Sequence, residues 1–112
     1  MENRAAGGRI GAVGASELML QFRASGVMVR YASTVDEGVK GVTDLVRNGC
    51  MVVFVSDELL EGMKELLSHY SAEPWPVITG FPGRGRGTAN SQQIIKDLVR
   101  KAVGIDIAGV TE

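Results

Sequence analysis

Apolar residues fall into two rhythms that alternate along this chain. The first is the short unbroken run. Ile10-Gly11-Ala12-Val13 halts at Gly14, and Val27-Met28-Val29-Arg30-Tyr31 follows. Met51-Val52-Val53-Phe54-Val55 is the strongest run, apolar without alternation, as in a strand covered on both faces. Trp75-Pro76-Val77-Ile78-Thr79 is the fourth, and Pro76 puts it at a strand start or a sheet edge, since proline donates no ladder hydrogen bond.

The second rhythm is the helical step of three and four. Ser16 is a predicted cap, with Glu17 in the first turn and a stripe of Leu18, Met19 and Phe22 ending at a left-handed Gly26. Thr34 opens the next helix with Glu37 at capping-box spacing, and Val35, Val39, Val42, Leu45 and Val46 share one face. Gly38 and Gly41 lie inside it at about 1 kcal/mol each relative to Ala, which suits either close packing or a mobile helix. Asn48-Gly49 closes it. Asp57 is the expected cap of a third helix, whose apolar face is Leu59, Leu60, Met63, Leu66, Leu67 and Tyr70. Glu58, Glu61, Lys64 and Glu65 lie opposite, and Glu73-Pro74 ends the segment. A Gly/Arg/Pro loop covers residues 80–88. After it, Asn90 and Gln93 offer a cap for a last helix with Ile94, Ile95, Leu98, Val99, Ala102 and Val103 on one face. Lys96, Asp97, Arg100 and Lys101 are on the other, and Gly104 with Ile105 terminates it.

Strand-helix alternation of this kind requires parallel strands joined by right-handed crossovers. The expected fold is α/β: a four-stranded parallel sheet in the order 2-1-3-4 with helices on both faces, receiver-like but lacking a fifth strand. Strand four is left at an edge, followed by a flexible loop and a mobile amphipathic helix. Residues 1–9 read as a loose extension, 10–79 as the α/β body, 80–90 as a linker with Gly83, Gly85 and Gly87 as hinge, and 91–112 as the C-terminal helix and tail.

Composition narrows the function. The 112 residues carry 12 basic and 13 acidic side chains, a net charge of −1, so there is no basic field for nucleic acid. The hydrophobic share of 45% fills one core, and no run reaches the ~20 residues of a membrane span. The N-terminal stretch lacks the apolar segment of a signal peptide. Cys50 is the one cysteine and can form no internal disulfide, so a cytoplasmic location is expected.

The motifs of small-molecule chemistry fail. Gly11-Ala12-Val13-Gly14-Ala15-Ser16 lacks two of the glycines of a dinucleotide fingerprint, and no acidic residue closes strand two. From Gly80, a P-loop would need Lys and a hydroxyl where Arg86 and Gly87 stand. Arg84 and Arg86 read as solvated, or as contacts for an acidic partner surface. Asp57 and Thr79 occupy the strand ends where receivers carry a phosphoacceptor and a hydroxyl. The Mg²⁺-holding acids after strand one are missing, however, with only Glu17 near Gly14-Ala15-Ser16. His69 stands alone near a helix C-terminus, and Cys50 reads as a small packing residue. No catalytic constellation, cofactor site or metal site is expected, which suits a binding or regulatory module.

Three segments together resemble the F subunits of the V-type (A/V-type) ATPases and ATP synthases, over roughly Ile10 to Ile107. The first is Ile10-Gly11-Ala12-Val13-Gly14 with Phe22-Arg23-Ala24-Ser25-Gly26-Val27. The second is the buried strand running into Ser56-Asp57-Glu58-Leu59-Leu60. The third is Trp75-Pro76-Val77-Ile78 with the closing Leu98-Val99-Arg100-Lys101-Ala102-Val103-Gly104-Ile105-Asp106-Ile107. The resemblance implies a non-catalytic, regulatory component of the central rotor stalk. It would bind the coiled-coil D subunit, near the catalytic A/B ring and the connector to the membrane ring. It also implies a C-terminal helix that can change position. The physical reading agrees: Ile94, Ile95, Leu98, Val99 and Val103, with Trp75 and Phe81 near the edge, are candidate partner contacts. The same face could instead fold back onto its own sheet. The other function class left open is a stand-alone pseudo-receiver adaptor without a working phosphorylation site.

Overall fold

The computed structural model describes residues 10–15, 17–81, 93 and 95–102. Its strands are β1 (Ile10–Gly14), β2 (Met28–Tyr31), β3 (Val52–Ser56) and β4 (Val77–Phe81), all parallel in the order β2-β1-β3-β4. The helices are α1 (Leu18–Ala24), α2 (Val35–Arg47), α3 (Asp57–Leu60) and α4 (Lys64–Tyr70), and residues 95–102 form a helix, α5. The expected topology is therefore the observed one. β1 and β3 are buried along their whole length, while the edge strands β2 and β4 are half-exposed.

Because side chains alternate across a strand, each central strand feeds two cores. Ile10 and Ala12 of β1 and Val52 and Phe54 of β3 join Leu18, Met19 and Phe22 of α1 and Ile95 and Ala102 of α5. Val13, Val53 and Val55 join Val42 and Leu45 of α2, Leu59 of α3 and Met63. So α1 and α5 cover one face of the sheet, and α2, α3 and α4 cover the other.

Local signals mostly hold. The Thr34 hydroxyl accepts the Glu37 amide at 3.2 Å, and the Glu37 carboxylate reaches back to the Ser33 amide at 2.8 Å, one residue before the usual box. Gly26 and Gly49 have φ of 89° and 92°, the left-handed closures that glycine adopts without a Cβ clash. Gly41 lets α2 approach the sheet: a Cβ there would sit 3.2 Å from Val13 and 3.3 Å from Arg30.

Four local expectations need correction. Glu17 occupies the cap position of α1 without a side-chain cap bond, and Ser16 lies outside the described residues. Asp57 is not a cap but the first residue of α3: β3 runs through Ser56, which takes the extended cap conformation itself. The Ser56 hydroxyl is buried and has no hydrogen-bond partner among the described residues. The single helix expected after β3 is two, broken across Glu61, Gly62 and Met63. There Gly62 abuts α2, where a Cβ would lie 2.6 Å from Val35 Cγ2, and Met63 turns fully into the core. The break buries Leu59 and Met63 but leaves α4 shallow, with no fully buried residue. Finally, Gly80 and Phe81 belong to β4, so the body extends past residue 79 into the stretch read as linker. The extension 1–9, residues 82–90 and the hinge glycines Gly83, Gly85 and Gly87 lie outside the described residues.

Candidate functional site

The positions that would carry chemistry are separate. Among the described residues no group of His, Cys, Asp and Glu could hold a metal ion. Asp57 is exposed at the end of β3 and Thr79 is exposed on β4, but β1 leads into Gly14 and Ala15, which have no carboxylate to offer. His69 lies edge-on to the neighbouring Tyr70 ring at 5.1 Å and lines no cluster of metal ligands. The Cys50 thiol is buried 3.8 Å from Met28 Sδ. Burial pushes its pKa up to about 11, with Arg30 opposing and Asp44 adding to the rise, so at neutral pH it is a protonated packing group.

The candidate contacts gather where α5 meets the sheet. Phe22 is the hub, stacked on Phe54 at 5.4 Å and met edge-on by Phe81 at 5.0 Å. Ile95 and Ala102 are each 1% exposed in this cluster, and Leu98 and Val99 pack half-buried against it. A gap of about 240 Å³ remains beneath α5, bounded by Val52, Phe54, Val77, Thr79, Leu98 and Lys101. The outer face is polar: Gln93 donates to Asp97 at 3.0 Å, and Arg100 stands 3.8 Å from the same carboxylate.

In this conformation the C-terminal apolar face is folded back. Phe81 is a core residue at 1% exposure, not an edge contact, because the last inward position of β4 brings it onto Phe22. Ile95 is likewise buried, while Trp75, Leu98 and Val99 remain half-exposed. Ile94 and Val103 lie outside the described residues.

A second surface was not singled out by the sequence. On the opposite face of the sheet a groove of about 610 Å³ runs between α2 and α4, floored by Val35, Val39, Met63 and Leu66. Helical periodicity places Val35, Val39 and Leu66 on core-facing stripes, yet each is only half-buried. No helix among the described residues is long and apolar enough to cross a membrane.

Comparison with known proteins adds a consistent picture. The ATP synthase (F/14-kDa) subunit family matches residues 10–99. The chain is 36% identical over 100 residues to the F subunit of the V-type ATP synthase of Clostridium botulinum (strain Eklund 17B / Type B), covering 88% of this chain and 96% of that protein. The corresponding protein of Clostridium perfringens is 32% identical over 100 residues, covering 88% and 94%. The F subunit of the A-type ATP synthase of Methanococcus vannielii is 30% identical over 101 residues, covering 88% and 98%. No solved structure matches.

Proposed function

The chain belongs to the ATP synthase (F/14-kDa) subunit family, and we propose that it serves as a non-catalytic, regulatory component of the central stalk of a V-type rotary ATPase or ATP synthase. In that role it binds the coiled-coil D subunit of the stalk and turns with it. It helps couple ATP chemistry in the A/B ring to rotation and ion transport, and it sits at the cytoplasmic side, peripheral to the membrane through the complex. Contacts with the ring and with the connector to the membrane ring belong to the same proposal.

The observation that carries it is α5. It is an amphipathic helix seated on an aromatic cluster over an unfilled gap. Each fully buried Leu or Ile contributes ~1.5–3 kcal/mol wherever it docks. Docking on the chain's own sheet and docking on a partner that buries similar apolar area are then comparable in free energy, as a regulatory element requires. In the released state Ile94, Ile95, Leu98, Val99 and Val103 are the proposed contacts, with Trp75 and the uncovered Phe81 beside them. Gly83, Gly85 and Gly87 are the proposed hinge.

The test is co-expression with the coiled-coil stalk protein of the same organism, with size exclusion and light scattering. A 1:1 complex supports the stalk role. Its weakening by Leu98→Asp with Val99→Asp puts α5 in the interface. No complex at micromolar concentration overturns the proposal.

A further inference from the structure

The α2–α4 groove lies on the face that α5 does not touch, and its walls explain why it exists. Gly62 against Val35 and Met63 in the core pin the α3–α4 corner to α2. Beyond that corner α4 rides away from α2 and leaves Val35, Val39 and Leu66 half-covered. An apolar floor of this kind, rimmed by charge, is the usual form of a seat for one helix.

The rim gives the occupant its sign. Asp36 of α2, Glu61 at the corner and Glu65 of α4 are all exposed. Among the described residues none of the three has an ion-pair partner. Among the described residues Lys64 is the one ammonium on the same rim, and His69 closes the far end. Three carboxylates against one ammonium attract a basic helix and repel an acidic one.

We infer that this groove docks an amphipathic helix of a partner protein, its apolar ridge over Val35, Val39 and Leu66 and its flanking Lys and Arg side chains against Asp36, Glu61 and Glu65. The inference rests on the stalk reading only for its probe, the coiled-coil stalk protein. It makes α5 release unnecessary for first contact, so that first contact and α5 docking use different faces of one sheet.

The test uses the full chain and the purified coiled-coil stalk protein of the same organism, with Kd from calorimetry at low and at physiological salt. Glu61→Lys with Glu65→Lys changes only exposed side chains and is expected to weaken binding about tenfold or more at low salt, with a flatter salt dependence. Leu66→Ala is expected to weaken it about tenfold at both salts. Circular dichroism melts establish that both variants remain folded. Leu20→Asp, on the exposed outer side of α1 and on neither proposed surface, is expected to leave the Kd within about threefold. A wild-type complex that ignores both groove variants overturns the groove while leaving the stalk role intact. Loss of the complex on Leu98→Asp with Val99→Asp, with both groove variants binding like the wild type, does the same and moves the whole interface to α5. No complex with the wild-type chain overturns both.

Discussion

Ile95→Ala separates two ways in which α5 could belong to the fold. Ile95 is 1% exposed in the cluster around Phe22, Phe54 and Phe81. Removing its outer carbons from a packed site costs about 2–4 kcal/mol. How that loss is distributed depends on cooperativity. α5 follows β4 in sequence, has Ile95 and Ala102 as its fully buried residues among those described, and leaves a gap of about 240 Å³ beneath it. A thinly anchored terminal helix is expected to open on its own, below the free energy of global unfolding. At ~1.4 kcal/mol per factor of ten, the substitution should then cut hydrogen-exchange protection of the α5 amides by roughly thirtyfold to several hundredfold. Amides of β1 and β3 should start from higher protection than those of α5 and, exchanging through global unfolding, lose a similar factor, while the melting temperature should move far less than the roughly 10 °C or more that about 3 kcal/mol produces in a domain of this size, because α5 opens before the sheet melts. Equal wild-type protection in α5 and in β1 and β3 would refute the reasoning, because α5 would then unfold only with the whole sheet. No loss anywhere would refute the docking itself.

Gly38→Ala should destabilise in thermal melts by about 1 kcal/mol despite Ala's better helix propensity, because the new methyl displaces the buried Met63. The loss should shrink in a Met63→Ala background, a coupling that a double-mutant cycle reads directly. Ser56→Ala should be neutral or stabilising by up to about 1 kcal/mol in the same melts, since it removes a buried hydroxyl with no partner. The Cys50 thiol should resist disulfide-exchange reagents near pH 8 until the chain unfolds. Its folded pKa of about 11 lies above the ordinary 9.0, so the unfolded thiol ionises first. Its contribution to stability is therefore complete below pH 9 and should be lost as pH rises from 9 to about 11, which denaturant melts across that range will read.

Strand order was legible because each apolar run is short, unbroken and separated from the next by one helical stripe, and right-handed crossovers leave few arrangements. The break at Gly62 was not legible. Leu59, Leu60, Met63, Leu66, Leu67 and Tyr70 keep helical spacing straight through it, and at the break Gly62 abuts Val35 of another element. Phe81 was misplaced for a related reason. Gly80 reads as a loop start, yet β4 continues through it and delivers Phe81 to the ring of Phe22, on a helix near the other end of the chain. For the site, periodicity gave the stripe of α5 but not what it covers, since an apolar face has the same spacing whether it meets its own sheet or a partner. The α2–α4 groove escaped because half-burial comes from the standoff of α4, a tertiary distance that no single helix records.

The two-sided sheet has a consequence for how this chain can change over time. Phe54 and Val55 are neighbours in β3, yet one serves the aromatic cluster under α5 and the other the valine-rich layer under α2. Substitutions that retune one layer leave the packing of the other nearly untouched, because the backbone plane stands between them. The hold on the terminal helix and the shape of the opposite groove can therefore drift or be engineered independently, residue by residue along the same strand.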